Sequence, residues 1–289
     1  MSMIMLIAMN MAVMVSLYIV LFILGAFFGI DINNSSMIGI FAMSALFGFG
    51  GSFFSLFMSK SMAIKGMKVK VIDNPSTEFE MWLVNTIAKQ AKDAGLGMPD
   101  VGIFDAPPNA FATGRDRNHA LVAVSTGLID LMSKDEISGV LAHEMTHVKN
   151  GDMITMTLMQ GVLNTFVMFA SRIISNIISR RNGRGGGMSY YMISFVLNIV
   201  FSFLAKAVLM WYSRIREFKA DEGAVDLDGA NNIYYALAKL GKVPADQLSL
   251  NDDYKTFGFV GFIGDVFRSH PHIEHRLEHI KKYSKRNNK

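Results

Sequence analysis

No charged residue occurs before Asp31, and after it none occurs until Lys60. Two apolar runs fill this stretch, residues 3–30 and 37–58, joined by the short segment Asp31 to Ser36. Crossing the hydrocarbon core of a bilayer takes about 20 helical residues, so each run is long enough. A water-soluble core rarely holds two adjacent uncharged helices of such length. The chain is therefore expected to open with a transmembrane hairpin. A cleaved leader is not expected, because no basic segment precedes the first run and the run is too long for a leader's apolar region.

Basic residues orient the hairpin. Lys60, Lys65, Lys68 and Lys70 follow the second run directly, whereas the connecting loop has only Asp31. Short basic flanks stay on the cytoplasmic side, which places the chain beyond Ser59 inside. Two weaker apolar runs follow. Residues 153–171 lead to Arg172, and residues 185–205 lead to Lys206, with the basic, glycine-rich stretch Arg180 to Gly187 between them. Full spanning of both runs puts that basic loop outside, against the usual bias; a shallow hairpin is the alternative.

The expected organisation is a transmembrane hairpin (1–59), a first cytoplasmic part (60–152), a second hydrophobic hairpin (153–212) and a second cytoplasmic part (213–289). The two cytoplasmic parts together make one domain of ordinary size, interrupted by membrane helices. The absence of cysteine excludes disulfides and thiolate ligands and suits a reducing compartment. A net charge of +4, with basic residues flanking apolar runs, does not point to nucleic acid. The terminal Lys281, Lys282, Lys285 and Arg286 suit either an anionic leaflet or plain solvation. The glycine-rich stretch lacks the Gly-Lys-Ser/Thr of a phosphate loop and reads as a connection.

Within the first cytoplasmic part, Thr77 to Ala94 has helical spacing, with Thr77 and Glu80 as a capping box and Gly95 as a stop. Residues 101–104, 109–114 and 119–125 read as short strands, with Pro107-Pro108 as punctuation. A further helix begins at Ser133, where Glu136 completes a second capping box, and ends near Asn150-Gly151. The fold class is accordingly an α-helical membrane protein with a mainly α (α+β) cytoplasmic domain that carries a small sheet.

The second helix bears His143-Glu144-Met145-Thr146-His147. Residues four apart on an α-helix lie about 40° apart around the axis and about 6 Å along it. Both imidazoles can thus reach one metal ion from the same face. Glu144, beside the first ligand, is placed to act as general base. This is the pattern of zinc metalloproteases. A catalytic zinc takes three protein ligands, and no third histidine follows closely. The segment from Ser213 to Glu222 supplies carboxylates on a helix. There Glu217 and Asp221 share a face, so Glu217 suits the metal while Asp221 accepts the free N–H of a ligand histidine, His143 being the expected partner. Glu222 is the rival ligand, and an exposed face of charged pairs is the bland alternative. His275 and His279 also lie four apart, but no glutamate follows His275, and neighbouring charges suggest a solvated face.

With these residues in hand, the chain resembles the HtpX-type membrane zinc metalloproteases, bacterial heat-shock relatives of the CAAX prenyl endopeptidases. The matching stretches are Asn109 to Gly114, Leu121 to Gly127, His143 to Asp152, Arg216 to Asp221, and Ser269-His270-Pro271. The likeness runs from about Ile72 to Leu277 and includes the order of the hydrophobic pairs. It implies one zinc per chain, held by His143, His147 and Glu217, with Glu144 as base, in a zincin-like domain on the cytoplasmic face of the bacterial inner membrane. It also places His270 near the metal, as a candidate donor to the transition state. The substrates it implies are unfolded or misassembled membrane proteins, with self-cleavage, in a quality-control and stress role. His272 departs from the pattern, since relatives often have a second proline there; that leaves the local loop shape open.

The strand formed by Asn109, Ala110, Phe111 and Ala112 is a candidate edge for an extended peptide, because main-chain pairing gives affinity with little sequence selection. An internal strand is the alternative. Two other functions are open to the chain: a narrow processing protease, which would need a chamber of more than four spans, and a non-catalytic zinc-stabilised scaffold, against which an intact Glu144 argues.

Overall fold

A computed structural model describes residues 35–181, 188–243 and 270–287. The elements in chain order are α1 (Ser35–Gly66), β1 (Lys70–Val71), α2 (Glu78–Ala94), β2 (Asp100–Phe104), β3 (Ala110–Gly114), β4 (Ala120–Ser125), α3 (Thr126–Leu131), α4 (Lys134–Asn150), α5 (Asp152–Arg181), α6 (Met188–Asp228), α7 (Ala230–Leu240) and α8 (Ile273–Asn287). The expected first span, residues 3–30, and most of the glycine-rich loop lie outside the described residues.

Two compact units divide at Ser55/Leu56, Ile154/Thr155 and Leu209/Met210. In the unit before Leu56 and between Thr155 and Leu209, small residues bring helices together. A Cβ at Gly48 would collide with Thr165, and one at Gly161 would collide with the Phe49 ring. Phe41 meets Phe169 edge to face at 5.4 Å, and the Asn164 amide donates to Ser52 Oγ at 3.5 Å. Close approach over small residues is how helices pack where no hydrophobic effect separates protein from lipid. Phe195, Val196, Ile199, Phe203 and Leu204 of α6 are exposed. Helices α1, α5 and α6 are each long and apolar enough to cross a membrane.

The other unit holds a four-stranded mixed sheet of order β1-β2-β4-β3. Strand β2 runs parallel to β4, while β1 and β3 pair antiparallel with β2 and β4. Every residue of β4 is buried, which fits its unbroken run of Leu121, Val122, Ala123 and Val124: a strand covered on both faces has no reason to alternate. Val122 and Val124 pack with Leu83 and Ile87 of α2 and with Leu141 and Met145 of α4. Ala123 packs with Val69 and Phe104.

Both capping boxes form. Thr77 and Glu80 cap α2, and Ser133 and Glu136 cap α4. Gly95 and Gly151 end these helices at φ 69° and 71°, a left-handed turn that glycine adopts without steric cost. Contact between α4 and α7 is close at Gly139, where a Cβ would strike the backbone of Asn232 and Ile233. Sequence reading had not marked β1, α3 or α7.

Candidate metal centre

Helix α4 carries the motif at its buried C-terminal half. His143 is 6 % exposed, and the rings of His143 and His147 stand edge to face with centroids 4.8 Å apart. Helix α6 brings Glu217 between them. Its Oε2 lies 3.4 Å from His143 Nε2 and its Oε1 lies 3.4 Å from His147 Nε2. One donor atom from each of the three residues falls within 4.8 Å of the others. This convergence needs α4 and α6 to touch, and Gly223 permits it: a Cβ there would collide with the Thr146 side chain, one residue before His147.

The remaining ring nitrogens are also engaged. His143 Nδ1 lies 3.0 Å from Asp221 Oδ1, the arrangement expected from the sequence. His147 Nδ1 lies 2.6 Å from Asp152 Oδ2. Asp152 reaches it because Gly151 reverses the chain at the end of α4 and α5 starts at once. Carboxylates at Nδ1 fix both tautomers and leave Nε2 facing Glu217.

Arg276 of α8 closes the site from behind. Its Nη2 donates to Asp221 Oδ1 at 2.6 Å and its Nε to Oδ2 at 2.9 Å. Its Nη1 lies 3.5 Å from Glu217 Oε2. Arg276 is 7 % exposed and Asp221 is fully buried. Burial opposes the guanidinium charge, yet Asp221 and Glu217 hold it firmly protonated.

Burial likewise opposes charge on the imidazoles. For His147 the hydrogen bonds to Asp152 and Glu217 outweigh burial and push its pKa up to about 10. For His143 the hydrogen bonds to Asp221 and Glu217 raise it too. The site thus favours positive charge where the two Nε2 atoms and the Glu217 carboxylate converge. Two imidazoles and one carboxylate are a donor set suited to a divalent ion, so the residues present fit a metal.

The other candidates sort clearly. Glu222, the rival ligand, accepts from His279 Nε2 at 2.9 Å and takes no part in the cluster. The His279 ring also packs against Phe218 at 5.0 Å, and His275 is exposed. Neither joins a metal pair. His270 Nδ1 lies 2.8 Å from Glu217 Oε2, and half of its side chain is exposed. Asn109 stands just before β3; its backbone N–H donates to Ser125 Oγ at 2.8 Å and its carbonyl accepts from Ser125 N–H at 2.9 Å. Ala110, Phe111 and Ala112 lie in β3, which pairs only with β4 among the described strands. Glu144 is half-buried on α4 between the two histidines. In the sequence Asp152 and Arg216 only bound the matching stretches 143–152 and 216–221, and nothing there gives them or Arg276 a role.

A helical motif bearing two histidines and a glutamate, a carboxylate brought to it from a distant helix, and three helices long and apolar enough to cross a membrane define a membrane metalloprotease. Residues 78–284 match Peptidase family M48, and the chain belongs to that family. It is 46 % identical to Protease HtpX of Tolumonas auensis over 284 residues, covering 95 % of this chain and 96 % of the relative. It is 48 % identical to Protease HtpX of Vibrio cholerae serotype O1 over 277 residues, covering 93 % and 95 %. The crystal structure of S. mikatae Ste24p shares the fold, with a TM-score of 0.59 at 18 % identity; the match covers 96 % of this chain and 65 % of that one.

Proposed function

We propose that this metalloprotease is a zinc endopeptidase of the bacterial inner membrane, and that it cuts cytoplasmic segments of misfolded or damaged membrane proteins. The observation that carries the reading is the convergence of His143, His147 and Glu217, with Glu144 on the same helix. Zinc held by those three residues would supply Lewis-acid polarisation of water and of the scissile carbonyl. Glu144 takes the proton of the attacking water and returns it to the leaving amine. His270, next to Glu217, donates a hydrogen bond to the oxygen on which negative charge develops.

The substrate binds as an added strand along β3, from Asn109 to Ala112. The position of β3 at the edge of the sheet supports this mode. Pairing through main chain selects extended, unfolded segments over particular sequences, which suits quality control during stress. The lysines at 60, 65, 68 and 70 support a cytoplasmic catalytic unit.

The test is cleavage of casein in detergent by wild type and Glu144→Gln, each stripped with chelator and resupplied with zinc. Zinc-restored cleavage by wild type alone is expected, with zinc bound to both. Loss of zinc from Glu144→Gln would reject the base assignment. Absence of cleavage by zinc-loaded wild type would reject the broad-specificity endopeptidase.

A further inference from the structure

Behind each ligand histidine stands a carboxylate, and behind each carboxylate an arginine. On one side the order is His143, Asp221, Arg276. On the other it is His147, Asp152, Arg216: Arg216 Nη1 donates to the Asp152 carbonyl oxygen at 3.3 Å, and its Nε lies 3.7 Å from Asp152 Oδ2. We propose that Arg216 is a positioning residue of the metal centre, acting through Asp152 to hold the His147 ring with Nε2 turned toward Glu217. The inference rests on His143, His147 and Glu217 being the metal ligands.

Three observations carry it. Arg216 is adjacent in sequence to Glu217, so one turn of α6 delivers both a ligand and the cation behind another ligand. The Arg216 side chain is only 14 % exposed, and its Nε is buried without a hydrogen-bond partner. A buried guanidinium with an unsatisfied N–H is a poor choice for stability alone; placement against the carboxylate that fixes His147 gives it a purpose. Finally, four carboxylates (Glu144, Asp152, Glu217 and Asp221) surround two imidazoles. A divalent ion compensates two of them, and Arg216 with Arg276 compensates the others. Without Arg216 the Asp152 carboxylate is free to turn away from Nδ1, and the His147 ring with it.

The experiment uses the full chain in detergent, loaded with zinc, and follows zinc release to a chromogenic chelator. Groups beyond the ligands typically alter metal affinity about 10–100-fold. Arg216→Met is expected to release zinc faster by that order, with Arg216→Lys between it and wild type because charge remains without the fork. Asp152→Asn/Arg216→Met is expected to release zinc no faster than Asp152→Asn, since both act at one ring. The cobalt-substituted Arg216→Met protein should show a shifted visible spectrum. Release at the wild-type rate with an unchanged cobalt spectrum would overturn the proposal, as would a double variant showing the full product of both effects. If Arg216→Met does not fold, Arg216→Gln takes its place: faster release supports the role and an unchanged rate overturns it. Wild type that takes up no zinc would reject the ligand set itself, a different failure from that of Arg216.

Discussion

Asp221 Oδ1 lies 3.0 Å from His143 Nδ1 while the same carboxylate receives two hydrogen bonds from Arg276. One buried group thus answers both to an imidazole of the proposed metal set and to a cation, and its two roles separate by substitution. Asp221→Asn keeps the volume but can offer its amide to Nδ1, so the ring loses its fixed tautomer. A fall in zinc affinity of about 10–100-fold is expected, read by chelator competition. Asp221→Ala also removes both short hydrogen bonds from buried Arg276 and leaves it only the 3.5 Å contact with Glu217 Oε2; breaking a buried pair costs up to about 3–5 kcal/mol. Its melting temperature should fall well below that of Asp221→Asn. Equal melting temperatures would mean that Glu217 alone suffices to hold Arg276.

Gly223 sets how closely α6 approaches α4. A methyl group there overlaps Thr146, and forced overpacking of a tight contact costs about 1–3 kcal/mol. Gly223→Ala should therefore lower thermal stability and, by pushing Glu217 and Asp221 away from the two rings, weaken metal binding as well. Adding Thr146→Ala removes the atoms in the way and should recover part of both losses. A Gly223→Ala protein that binds zinc like wild type would show that the helices are not held at that spacing by the contact.

The carboxylate of Glu80 accepts from Ser76 N–H at 2.8 Å, Ser76 Oγ at 2.9 Å and Lys70 Nζ at 3.0 Å. Those bonds, the Ser76 backbone donor first, lower its pKa from 4.5 to about 2. Because the folded value lies below the unfolded one, the folded state gains from this group above pH 4.5 and loses that gain as pH falls toward 2. Metal-stripped wild type should thus be more stable than Glu80→Gln at neutral pH, with the gap in melting temperature closing across that acid window. A gap constant through the window would assign the difference to shape and not to charge.

Local signals made much of this legible in the sequence. Capping boxes at Thr77 and Ser133 and the glycines at 95 and 151 bounded α2 and α4, and i,i+4 spacing put His143 with His147 and Glu217 with Asp221 on shared faces. Arg276 escaped because Glu274, Glu278 and Lys282 beside it suggest a solvated helix. Its burial is readable only from the stripe it shares with Ile273 and Ile280, and its partner lies on another helix. Asp152 carries a local signal: it directly follows the left-handed cap Gly151, and here the chain folds back so that its carboxylate meets His147 in the last turn of α4. Arg216 opens the matching stretch 216–221, but no local signal gives it a role, because its partner Asp152 lies on another helix. Residues that brace the two imidazoles from behind are specified by tertiary contact, and periodicity within one helix does not report it.

The edge strand gives a test in which backbone alone is changed. Asn109 carbonyl accepts from Ser125 N–H, and Phe111 and Thr113 stand opposite Ala123 and Leu121. Bonded and non-bonded pairs alternate in an antiparallel ladder. The N–H groups of Phe111 and Thr113 therefore face β4, while those of Ala110 and Ala112 face away, toward an added strand. Proline is tolerated at an edge when the missing N–H points outward. Ala112→Pro should leave melting temperature and zinc content near wild type while lowering kcat/KM for an unfolded substrate, mainly through KM. Phe111→Pro removes a ladder bond instead and should destabilise the fold. If Ala112→Pro cleaves casein with wild-type kcat/KM, the peptide does not pair with β3 and its binding must come from elsewhere in the site.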